Sequence, residues 1–145
     1  MAELNHAGSF RELVVYRKAQ AVSRVIFELS KGFPKEETFS LTDQIRRAVR
    51  SIGAQIAEAW AKRRYERHFV SKLSDADAEQ METQHWLSEA CTCQYIDSAQ
   101  AEALVAELEQ IGRMLNSMME KSHLFCTQNP NMVRDEEAAY LVGAE

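Results

Sequence analysis

The chain has 145 residues, 46% of them apolar and 27% charged, which is the size and mixture of one soluble domain with a buried core. Two prolines and five glycines cannot supply the turn chemistry of an all-β architecture, and no uninterrupted apolar run approaches the roughly 20 residues that cross a bilayer. The net charge of −5 and pI near 5.4 disfavour a protein whose whole surface binds nucleic acid. Three cysteines, Cys91, Cys93 and Cys126, are too few and too oddly numbered for a disulfide framework. With no basic-then-apolar signal segment at its start, the chain is expected in a reducing cytoplasm.

Ser9 followed three residues later by Glu12 has capping-box form and predicts a first helix over about 10–31. Leu13, Tyr16, Ala19, Val22, Ile26 and Leu29 recur at three- and four-residue steps along its inner stripe, and Gly32, Phe33 and Pro34 end it. Ser40 predicts the cap of a second helix, about 40–64, with Leu41, Ile45, Ala48, Ile52, Ile56 and Ala59 inward. Gly53 lies inside that pattern. It costs about 1 kcal/mol against alanine in a helix, so a close helix contact is the expected reason for it.

No proline or glycine marks the join at Arg63–His68, so helices two and three could run on nearly continuously; only a shift in periodicity places a turn near Tyr65–Arg67. A third helix over about 68–95 then carries Phe69, Leu73, Ala76, Gln80, Thr83, Leu87 and Ala90 on a weaker, more polar stripe. Asp97 or Ser98 caps a fourth, about 98–123, with Leu104, Leu108, Ile111, Leu115 and Met118 at the alternating steps of a left-handed bundle seam. Gln128-Asn129-Pro130-Asn131 breaks the pattern, leaving 127–145 as a mostly acidic tail with a short apolar stretch at Ala138–Val142, either docked or mobile. Four amphipathic helices with short connections bury their stripes only against each other. The prediction is therefore all-α, an antiparallel up-down-up-down four-helix bundle over residues 1–126.

The charge is unevenly divided. Residues 1–73 carry 14 Lys and Arg against 8 Asp and Glu, whereas residues 74–145 carry 3 against 14. A basic hairpin meeting an acidic one, within a subunit or between subunits, is one reading, and a basic half facing RNA or DNA is the other. The candidate anion or nucleic-acid contacts are Arg46, Arg47, Arg50, Arg63, Arg64 and Arg67, with ion pairs to acidic neighbours such as Glu36, Glu58 and Glu82 as the structural alternative.

Enzyme chemistry finds little support. Glu82-x-x-His85 and Glu120-x-x-His123 repeat the i, i+3 pattern of carboxylate-bridged di-iron bundles, with Glu28 and Glu58 as single carboxylates. If the chain turns back near residue 96, however, the two motifs lie about 20 Å apart at 1.5 Å per residue, too far to share one site. Cys91-x-Cys93 on a helix splays its thiols to different sides and makes a poor zinc half-site. No nucleophile elbow or phosphate-cradling glycine loop is present, so neither catalysis nor a cofactor is expected. Trp60 and Trp86 lie beside the inward positions Ala59 and Leu87, at stripe edges that a neighbouring subunit could cover; both are candidate subunit contacts.

From Phe10 to Phe125 the chain resembles the small four-helix-bundle proteins encoded by intervening sequences in bacterial large-subunit ribosomal RNA genes. Their relatives are the accessory variability proteins of diversity-generating retroelements. The resemblance is carried by Phe10-x-x-Leu13 with Tyr16, the Phe33-Pro34-x-Glu36 corner, Leu41-x-x-Gln44-x-Arg46-Arg47-Ala48, Ser51-Ile52, Ile56-Ala57-Glu58, and Leu73-x-x-Ala76 leading to Glu82. The chain departs from the family pattern at Gln55, Ala59 and Ala78-Glu79. The resemblance implies a subunit that assembles as a ring of five, a homopentamer, without an assigned enzymatic activity. The retroelement relatives imply the alternative, an RNA- or DNA-binding accessory protein using the basic first hairpin.

Overall fold

The structure is a computed structural model and describes residues 7–126; the tail 127–145 lies outside the described residues. Four helices, α1 (Val14–Ser30), α2 (Asp43–Ala61), α3 (Glu66–Thr92) and α4 (Ser98–Glu120), form the bundle. α1 packs on α2 and α4, α2 on α3, and α3 on α4, so successive helices are antiparallel neighbours around one core.

Two helices begin later than their capping signals suggest, because each signal shapes a different turn. Ser9 Oγ accepts from Arg11 N at 3.2 Å and Glu12 Oε1 accepts from Gly8 N at 3.2 Å, but together they close a short 3-10 turn, Phe10–Glu12. Leu13 is then extended (φ −70°, ψ 132°), and α1 starts only at Val14. Likewise Ser40 sits inside a π turn, Thr38–Thr42, where its hydroxyl donates to Glu37 Oε1 at 2.8 Å, and α2 starts at Asp43. At α4 the local signal prevails. Asp97 Oδ1 accepts from Gln100 N at 2.7 Å while Gln100 Oε1 accepts from Asp97 N at 3.0 Å, a reciprocal capping box.

The inner stripes of α2, α3 and α4 are buried at every position that the periodicity marks, from Leu41 to Ala59, Phe69 to Ala90 and Leu104 to Met118. On α1, Leu13, Ala19, Val22 and Ile26 are buried, while Tyr16 and Leu29 pack against the core with part of their surface exposed. Polar members of the α3 stripe are satisfied inside it. Thr83 Oγ1 donates to Glu79 O at 2.8 Å; Gln80 donates to Asp77 Oδ1 at 2.9 Å and accepts from Gln84 at 2.8 Å. Each buried Leu, Ile or Phe contributes roughly 1.5–3 kcal/mol. Exposed ion pairs such as Lys31–Glu28 (3.2 Å), by contrast, contribute about 0–1 kcal/mol. The core, not the charge division, holds the bundle together.

Candidate functional site

The helix axis separates the six arginines singled out from the sequence. Arg46, Arg47 and Arg50 lie in the first turns of α2, whereas Arg63, Arg64 and Arg67 lie beyond its last turn or at the start of α3. The 17 residues from Arg46 to Arg63 correspond to roughly 25 Å of helix rise. They form two groups at opposite ends of the bundle, not one patch.

The first group is organised by an aromatic ring from the neighbouring helix. Phe27 on α1 carries the Arg46 guanidinium 4.6 Å from its centroid, Arg50 at 5.4 Å and the Lys31 ammonium at 5.0 Å. Arg46 Nε also donates to Ser30 Oγ at 2.7 Å, and Ser30 Oγ in turn donates to Phe27 O at 2.9 Å, which fixes the arginine against α1. Arg47 points the other way, toward α3. There its charge pulls the Glu79 carboxyl down, against the stronger upward push from burial and from Glu82 and Asp75.

Below Phe27 the same two helices enclose an open groove of about 400 Å³, lined by Tyr16, Gln20, Ser23 and Arg24 from α1 and by Arg50 and Gly53 from α2. The Tyr16 ring packs over Gly53, where a Cβ would stand 3.4 Å from Tyr16 Cε1, an ordinary contact distance. The close contact expected at Gly53 exists, but it leaves room for a methyl group.

At the other end, Arg63 stacks on Trp60 with its guanidinium 3.6 Å from the ring and its Nε donating to Trp60 O at 2.9 Å. Burial pushes this guanidinium down from its ordinary range. Arg64 and Arg67 are exposed nearby. Ser122 donates to Glu66, and Phe125 stacks on Phe69 at 5.8 Å, closing this end over the buried Cys126. Burial raises the Cys126 thiol to about 11. Both Trp60, in the last turn of α2, and Trp86, in the second half of α3, are half-buried; the Trp86 indole donates to Glu82 Oε2 at 3.0 Å and meets His85 edge-on at 4.7 Å.

The two Glu-x-x-His motifs lie far apart: Glu82 and His85 near the middle of α3, Glu120 and His123 at and just beyond the end of α4. Glu28 pairs with Lys31 and Glu58 with Lys72 at 2.9 Å, which pushes the Lys72 ammonium up. Among the described residues, no three of His, Cys, Asp and Glu converge as metal ligands, and no helix is long and apolar enough to cross a membrane.

Sequence reasoning missed Phe27, Arg24 and Lys31 as parts of the α1–α2 site. The available signal was Arg24-x-x-Phe27-x-x-x-Lys31, whose i, i+3 and i, i+4 spacing puts two cations beside one ring on one helix face.

Comparison with known proteins agrees with this fold. The family described as 23S rRNA-intervening sequence protein matches residues 11–117. No curated protein matches the chain. A crystal structure of a protein of unknown function from the S23 ribosomal protein family of Bacteroides thetaiotaomicron VPI-5482 is similar to it. That protein has 31% sequence identity and a TM-score of 0.66 over 74% of this chain and 99% of its own. By profile, fold and identity, this chain belongs to the 23S rRNA-intervening sequence protein family.

Proposed function

We propose that this protein is a non-enzymatic cytosolic scaffold or interaction subunit that works as a homopentamer. The family resemblance supplies the number five. The observation that carries the reading is Phe39, which stands 80% exposed at the corner leading into α2. A large apolar side chain on a structured turn gains by being covered, and an adjoining subunit is the simplest cover. Trp60 and Trp86 add half-buried aromatic surface, and Met81, 58% exposed on α3, adds more. A ring repeats each weak outward contact and so turns modest affinity into useful avidity. Sedimentation velocity of Phe39→Ser, Trp60→Ala and Trp86→Ala tests this. Each substitution is expected to weaken assembly more than it weakens subunit folding; unchanged mass in all three contradicts the assignment of these contacts.

A second reading is an RNA- or DNA-binding accessory protein using the basic first hairpin, and the gathering of Arg46, Arg50 and Lys31 on Phe27 favours it. The resemblance to retroelement accessory proteins supports the same reading. A nucleic-acid binding isotherm across a salt series tests it, since phosphate contacts weaken steeply as ionic strength rises.

A further inference from the structure

Building on the nucleic-acid reading, we infer that the groove between α1 and α2 is a phosphate-ester site in which Arg24 and Arg50 hold the phosphate oxygens. Both residues line the groove, one from each helix. Among the described residues neither makes an ion pair or donates a hydrogen bond to another side chain, and the contact that Arg50 does make, with Phe27, leaves the edge of its guanidinium free to donate.

Three features prepare the groove for an oxyanion. First, Phe27 holds Arg46, Arg50 and Lys31 around one ring, and with Arg24 one turn below, four cations share a face where the carboxylate of Glu28 is already taken by Lys31. Crowded cations repel one another, and a bound phosphate anion relieves that repulsion. Second, the groove is walled by small residues, Ala19, Gly53 and Ala54, so a phosphate can approach the helix surface closely. Third, Ser23 and Gln20 line it with neutral donors, and Gln20 is positioned by its hydrogen bond to Tyr16 Oη at 3.2 Å. Planar guanidinium groups from two rigid helices present paired N–H donors that match phosphate oxygens bidentately. A volume of about 400 Å³ also suits a nucleotide unit, whether free or within a strand.

The test is fluorescence anisotropy on the full chain with a labelled oligouridylate of about 12 nucleotides, within the range such grooves cover. UMP, pyrophosphate and oligoglutamate serve as competitors. Arg24→Gln with Arg50→Gln is expected to weaken binding at least about tenfold and to reduce the salt slope by about 1.4, the contribution of two single-strand phosphate contacts. Arg113→Gln, on the α3–α4 face away from this groove, is expected to change neither. Displacement by UMP identifies a mononucleotide site, and resistance to UMP identifies a polymer site; both support the inference. Binding that is indifferent to the double substitution overturns the groove assignment but leaves the nucleic-acid reading standing. No binding at low salt overturns both. Competition by oligoglutamate as strong as by RNA overturns the phosphate chemistry.

Discussion

Arg46 and Phe27 meet across the α1–α2 interface with the guanidinium carbon 4.6 Å from the ring centroid, and Ser30 accepts the Arg46 Nε hydrogen at 2.7 Å. The contact is partly desolvated and geometrically specific, because the guanidinium lies over the ring while its Nε holds Ser30. A double-mutant cycle with Arg46→Gln and Phe27→Leu, read by urea denaturation, is expected to give a coupling of about 1 kcal/mol. Additive single effects would show that the pairing contributes nothing.

Gly53 and Gly112 are both helical glycines, yet their alanine variants are expected to move stability in opposite directions. At Gly53 the new methyl meets Tyr16 Cε1 at 3.4 Å, so the helix-propensity gain of about 0.5–1 kcal/mol is kept. At Gly112 it would stand 2.8 Å from Gln80 Nε2 and 3.1 Å from Asp77 Oδ1. Gln80 is buried and tied to Asp77 and Gln84, so it cannot withdraw without losing hydrogen bonds. Overpacking wins there, and Gly112→Ala is expected to cost about 1–2 kcal/mol net. Chemical denaturation of both variants checks the signs.

Gln94 ends α3 in the left-handed region at φ 66°, with Tyr95 N donating back to Ala90 O at 2.9 Å. Glycine adopts that conformation without the Cβ penalty. Gln94→Gly is expected to raise stability by up to about 1 kcal/mol, and Gln94→Val to lower it. A glycine variant no more stable than the parent would show that the glutamine side chain compensates in some other way.

The hydrogen bond from Tyr95 Oη to Glu37 Oε2, 2.8 Å long, raises the phenol to about 12. The folded value lies above the unfolded value of about 10, so this contribution to stability is fully present below pH 10 and is lost as pH rises through 12. Titration of tyrosinate absorbance is expected to show one late phenol that Tyr95→Phe removes. Thiol labelling at neutral pH is expected to modify the exposed Cys93 first, and the buried Cys126, raised to about 11, only on unfolding.

The bundle was legible in the sequence because its periodicity reports burial directly: every inward position read on α3, including the polar Gln80 and Thr83, is buried. The starts of α1 and α2 were less legible. Ser9 and Ser40 satisfy local donors and acceptors equally well in a 3-10 or a π turn, and only tertiary packing decides where the regular helix begins. For the site, closeness in number misled: Arg46 and Arg67 are 21 residues apart but are carried to opposite ends by a rigid rod. The ring that gathers the first group comes from another helix, 19 residues before Arg46, a distance that no local pattern spans.

Native mass spectrometry of the full chain, with sedimentation velocity at micromolar concentration, reads the number of subunits. A subunit of 16.5 kDa is expected to appear as a species of about 82 kDa, five copies, that falls apart on substitution of Phe39. A single species of subunit mass at every concentration would contradict the proposed ring.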